Sequence, residues 1–175
     1  MSIWNLFGVD QLRESSPSSE AETESVRKIM TALDHMEADR ARFLAAFAYV
    51  LGRVARSDQE FSEEETRIME RIVAERGHLS EEQARLVVQI ARTQSTLFSG
   101  IEDYVVTREF NRVATHDQKL DLIDCLFAVS AANHSISSVE DSTIRQISRE
   151  LKLRHKEFID VRLRYRDHLD VLRTE

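Results

Sequence analysis

Residues 55–65, "ARSDQEFSEEE", set five carboxylates, Asp58, Glu60, Glu63, Glu64 and Glu65, within eight residues. Clustered anionic oxygens suit hard cations, Ca²⁺, Mg²⁺ or Mn²⁺, rather than Zn²⁺ or Cu⁺, which favour nitrogen and sulfur ligands. Asp58 and Glu65 are the first candidate metal ligands and Glu60 is the third. The stretch is not an EF-hand, because it lacks the twelve-residue span, the alternating Asp/Asn ligands and the central glycine. A second reading needs no ion. Ser62 followed by Glu65 spells a capping box, in which the hydroxyl accepts from the third helical amide and the glutamate reaches back to the Ser62 amide. Glu63, Glu64 and Glu65 would also complement the positive end of the helix that starts there. Cation and cap both remain open on these residues.

The phrase recurs. "SAANHSISSVE", residues 130–140, repeats it at a constant offset of 75: Asn133 for Asp58, Ile136 for Phe61, Ser137 for Ser62, Glu140 for Glu65, and beyond them Ile147 for Ile72. The second copy offers Asn133, His134 and Ser135 where the first is acidic, so if a hard cation binds, it is expected at the first loop only. Upstream, Leu126 aligns with Leu51 and Val129 with Val54. The regularity reads as two copies of a helix–loop–helix unit, about residues 40–76 and 116–151.

These units imply the elements that carry them. With four Gly and one Pro in 175 residues, turns and hairpins lack their usual residues, and helices joined by short connections are favoured. Apolar periodicity starts near Glu24 with Val26, Ile29, Met30 and Leu33. "DHMEADR" marks a break, and "ARFLAAFAYVLGRVA" is apolar on most sides, as a central buried helix would be. Gly52 inside it suggests a close helix approach. Ile68, Met69, Ile72 and Val73 form the next stripe, with Gly77 as its left-handed stop. Ser80 and Gln83 cap a helix carrying Ala84, Val87, Val88 and Ala91, and another runs through Val105, Val106, Phe110 and Val113. The expected fold is all-α, a compact single-domain bundle of about seven to eight helices over residues 23–175. Residues 1–22 form an apolar segment, Ile3, Trp4, Leu6 and Phe7, followed by a mobile polar linker.

Other chemistries find little support. The lone Cys125 lies in an apolar run and reads as a buried hydrophobe. The six histidines form no zinc-protease pair, and no phosphate loop or nucleophile elbow is present. His116, Asp117, Asp121 and Asp124 read as a solvent-facing stripe. A net charge of −7 disfavours nucleic acid. Residues 151–175 hold seven Lys or Arg against five Asp or Glu, which reads as the solvated face of a terminal helix. There is no apolar run of membrane-spanning length and no secretion signal, so a cytoplasmic protein is expected. The Trp4–Phe7 segment keeps open a membrane-peripheral setting.

"VLGRVARSDQEFSEEETRIMERIV" resembles the signature region of the tellurite-resistance TerB family and the related domain of DjlA-type co-chaperones. In that family a buried helix ends in a short acidic loop, typically Ala-Asp-Gly, before an apolar residue, a Ser-type cap and a Glu. Here Ser57-Asp58-Gln59 stands for Ala-Asp-Gly, with Phe61, Ser62 and Glu65 in register. The departures are the missing glycine and Asn133 in the second copy. The resemblance covers about residues 40–168. It implies a compact helical module without catalytic activity in a bacterial metal- or oxyanion-stress assembly, with a protein partner and a divalent cation as candidate ligands. Two other functions stay open: a membrane-peripheral or co-chaperone-like interaction scaffold, and an enzyme that uses the acidic residues.

Overall fold

The structure, a computed structural model, describes residues 20–55, 62–93, 103–132 and 135–173. Asp58, Glu60, Phe61, Asn133, His134 and the Ile3–Phe7 segment lie outside the described residues.

Among the described residues there are eight α-helices: α1 Glu20–Asp34, α2 Ala38–Ala55, α3 Glu63–Gly77, α4 Glu81–Arg92, α5 Asp103–Val113, α6 His116–Ala131, α7 Ser138–Glu150 and α8 His155–Leu163. Two single 3₁₀ turns, Arg166–His168 and Asp170–Leu172, follow. The only extended pairing among these residues is an isolated parallel bridge between Ile136 and Leu169. The all-α expectation holds.

The break before α2 has a cause in Glu37, whose carboxylate accepts from the Asp39 and Arg40 amides at 3.1 and 3.0 Å. That satisfies donors a helix start otherwise leaves open. α1 begins at Glu20, inside the stretch expected as linker. The high helix propensity of Glu and Ala supports a helix there.

Helices α2 and α6 form the interior. α2 is buried continuously from Phe43 to Gly52 and touches α1, α4, α5, α6 and α7. α6 is buried from Leu122 to Ser130 and packs on α3, α7 and α8. Their aromatic side chains extend the core: Phe43 stacks on Phe110 at 5.4 Å, and Phe127 on Tyr165 at 5.7 Å. Arg53 joins three helices, pairing with Glu150 at 2.8 Å and Asp103 at 3.4 Å, while Tyr49 donates to Asp103 at 2.7 Å.

Three local expectations need correction. The left-handed residue after α3 is His78, φ 52°, not Gly77. Gly77 is instead the buried last residue of the helix, where a Cβ would stand 3.1 Å from Phe47 Cζ. The glycine serves packing against an aromatic ring rather than backbone conformation. The basic C-terminal stretch is not uniformly solvated. Arg162 turns inward and grips the buried Asp141 with both arms, Nε–Oδ1 and Nη2–Oδ2 at 2.9 Å each. Ile68 is not buried with its neighbours Met69 and Val73. It is 42 % exposed, at the edge of the cleft described next.

Candidate functional site

The capping ends of the two repeated phrases build the same local geometry. At α3, Ser62 is extended (φ −63°, ψ 163°), and its Oγ accepts from the Glu65 amide at 3.1 Å. Glu65 Oε2 accepts from the Ser62 amide at 2.7 Å. At α7, Ser137 Oγ accepts from the Glu140 amide at 3.2 Å, and Glu140 Oε2 accepts from the Ser137 amide and hydroxyl at 2.8 and 2.9 Å. Both capping boxes are complete, 75 residues apart. The Ser62 amide, and after it the Ser62 hydroxyl, hold the Glu65 carboxyl below its ordinary range. In each box Oε2 takes these bonds, and Oε1 carries no hydrogen bond among the described residues.

The boxes do not stand apart. Because α3 lies along α6, and α7 follows α6, the two helix starts border one small cleft of about 50 Å³. Among the described residues its lining includes Glu65 and Glu140, and also Ala55 and Ser130, each pair separated by the same 75 positions. Ile68, Met69, Ile72 and Val129 give it an apolar wall. Ser130 is 2 % exposed, and its Oγ has no hydrogen-bond partner. No Lys, Arg or His is among these lining residues.

Of the sequence-predicted ligands, the structure describes Glu65 alone, and it borders the same cleft as Glu140. Asp58 and Glu60 are outside the described residues. Among the described residues, no three His, Cys, Asp or Glu side chains gather as a metal would require. Sequence reading missed Glu140 and Ser130 as neighbours of Glu65. The 75-residue register was the signal that could have found them, since equivalent positions of two packed copies tend to face each other.

A larger polar groove, about 690 Å³, lies between the end of α3, α6 and α8. Here the expected solvent-facing stripe is overturned at Asp124, which is 8 % exposed. Tyr165 donates to Asp124 Oδ1 at 2.7 Å, and the guanidinium groups of Arg76 and Arg164 lie 3.5 Å from the carboxylate. Burial first, and then this hydrogen bond, push the Tyr165 hydroxyl well above its ordinary range. His78 pairs with Asp121 at 3.0 Å and His116 with Glu157 at 2.7 Å. Asp121, Asp124 and Glu157 thus link separate elements, whereas Asp160 pairs with Lys156 of its own helix at 3.0 Å. Cys125 is fully buried, and burial above all pushes its thiol far up, so it has neither access nor thiolate character.

No helix among the described residues is long and apolar enough to cross a membrane. Comparison with curated proteins and with solved structures returns no match. The family model described as tellurite resistance protein TerB matches residues 44–163, from the buried middle of α2 to the end of α8, and so takes in both capped units and the cleft between them. With more than half its length matched, this chain belongs to the TerB family.

Proposed function

We propose that this chain is a non-catalytic binding module of a bacterial stress-response assembly of the tellurite- or metal-resistance type. Its partner is a protein, and the cleft between the two capped helix starts is the face that takes it. The observation that carries the reading is the cleft's composition: an apolar wall with Ile68 exposed, bordered by Glu65 and Glu140. Partner-binding faces combine such an apolar centre with a polar rim. Family membership supports the setting, and the catalytic motifs sought in the sequence are missing from it.

A photo-crosslinking residue at Ile68, compared with one at the exposed Leu172, which is not among the cleft's described lining residues, tests this in cells. The reading expects one dominant adduct from position 68 that is absent from position 172. Equal yields from both positions would set it aside.

A second reading adds a divalent cation held by Asp58, Glu60 and Glu65. What favours it is Glu65 Oε1, which carries no hydrogen bond among the described residues. Thermal melts with Ca²⁺, Mg²⁺ or Mn²⁺ against a chelator decide it. A site filled at about 100 times its dissociation constant stabilises the native state by about 2.7 kcal/mol. Asp58→Asn should abolish that shift, and a shift that survives the substitution removes Asp58 from the site.

A further inference from the structure

Helix α1 differs from the rest of the bundle in how it is held. Among its described side chains, Ile29 and Leu33, one turn apart, are buried, and Met30 and Ala32 are half-buried. Met36, just past the helix end, is half-buried against the same core. Ile29, Leu33 and Met36 follow the i, i+4, i+7 anchor spacing by which an amphipathic helix seats in a groove. The groove here runs between α2 and α4, on which α1 packs, and beside it Lys28 and Ile29 line a cavity of about 410 Å³ with Gln89, Arg92 and Thr93. Other helices are also tied across by charge: Arg53 of α2 reaches Asp103 and Glu150, and Arg162 of α8 grips Asp141 of α7. In α1, Lys28 pairs with Glu24 at 3.3 Å and Thr31 Oγ1 donates to the Arg27 carbonyl at 2.9 Å, both inside the helix. A helix anchored by a few apolar side chains opens locally before the core does. The groove would outlast such an opening. The start of α2 needs nothing from α1, because the Glu37 carboxylate accepts from the Asp39 and Arg40 amides, and residues 35–37 belong to neither helix. The family match over residues 44–163 takes in α4 and most of α2 and leaves α1 wholly outside.

We propose that α1 is a displaceable helix, and that the groove it covers between α2 and α4 docks an amphipathic helix of a partner protein with apolar anchors at the same spacing. The occupant's chemistry is read from α1 itself, which is the helix seated there. In this arrangement α1 competes with the partner from within the chain, so the groove's apparent affinity falls by the fraction of molecules in which α1 has opened. The groove shares none of the described lining residues of the cleft beside Ile68, and the proposal does not rest on the reading of that cleft.

The test uses the full-length chain. In hydrogen exchange read by mass spectrometry, the amides of α1 should exchange about a hundredfold faster than those of α2 and α4, or faster still. A fluorescein-labelled peptide of residues 20–37 is then titrated into wild type and into I29D/L33D, in which the chain's own α1 is released. The variant should stay folded by circular dichroism and bind the peptide about tenfold more tightly than wild type, or better. The same peptide carrying both substitutions should bind neither chain. Protection of α1 equal to that of α2 and α4, or an unfolded I29D/L33D chain, would overturn the proposal and make α1 part of the core. Equal affinity of the two chains for the peptide, binding that survives substitution in the peptide, or no binding would overturn the groove as a docking site. A wild-type dimer in light scattering that I29D/L33D breaks would overturn the partner, in favour of α1 helices exchanged between two copies.

Discussion

Glu65 and Glu140 each close the capping box of their own helix and border the same cleft, although 75 residues separate them in the chain. Each carboxylate has one oxygen engaged by its own helix start and a second with no hydrogen bond among the described residues. The helix cap and the binding site, which compete as explanations on the sequence, are therefore compatible uses of one side chain.

The caps make a prediction about stability. Ser62→Ala and Ser137→Ala each remove a side-chain acceptor for an N3 amide, at 3.1 and 3.2 Å. Each should cost about 1 kcal/mol in denaturant melts. The cost at Ser137 should be the larger, since its hydroxyl also donates to Glu140 Oε2. An unchanged midpoint for either variant would mean that its helix does not begin there in solution.

Tyr165→Phe removes the hydroxyl that donates to both the side chain and the backbone carbonyl of Asp124. A buried carboxylate then loses its shortest hydrogen bond while the ring packing on Phe127 is kept. The expected loss is about 2 kcal/mol, within the range for a buried acceptor left short of a donor. A loss no larger than a surface substitution gives would show that water replaces the phenol.

Glu157 sets the acid limb. The Arg154 guanidinium first, the Arg154 amide next, and His116 beyond them lower its carboxyl from the usual 4.5 to about 2. A carboxyl depressed by folding contributes stability that is complete above its unfolded value and lost as pH falls through its folded value. The contribution should therefore fade between about pH 4.5 and 2, and E157Q should flatten that part of the stability profile. Carbon-detected titration of Glu157 with a midpoint near 4.5 would contradict the assignment.

Much of the fold was legible because the signals are local. The Ser-x-x-Glu boxes at Ser62 and Ser137, the break before Ala38 and the buried run of α2 are written in spacings of a few residues. What was not legible depends on partners far along the chain. Asp124 lies on the polar side of an amphipathic pattern, and only Tyr165, arriving from beyond α8, turns that side into an interior. Arg162 looks like one more surface cation until Asp141 meets it. Gly77 carries the sequence signature of a helix stop, yet its role is fixed by Phe47, thirty residues earlier. The site was half legible. Glu65 stood out by its acidic neighbours, whereas Glu140 and Ser130 join it only because α3 and α6 pack together.

The central claim is that Glu65 and Glu140 carry binding beyond their part in the caps. The most direct measurement compares wild type with the E65Q/E140Q double variant in two readouts, thermal midpoint and Ile68 crosslinking yield. Glutamine retains both capping boxes, so the midpoint should move by no more than a few degrees while the Ile68 adduct is lost. A midpoint that falls steeply while the adduct persists would contradict the account, and would make the two carboxylates helix caps alone.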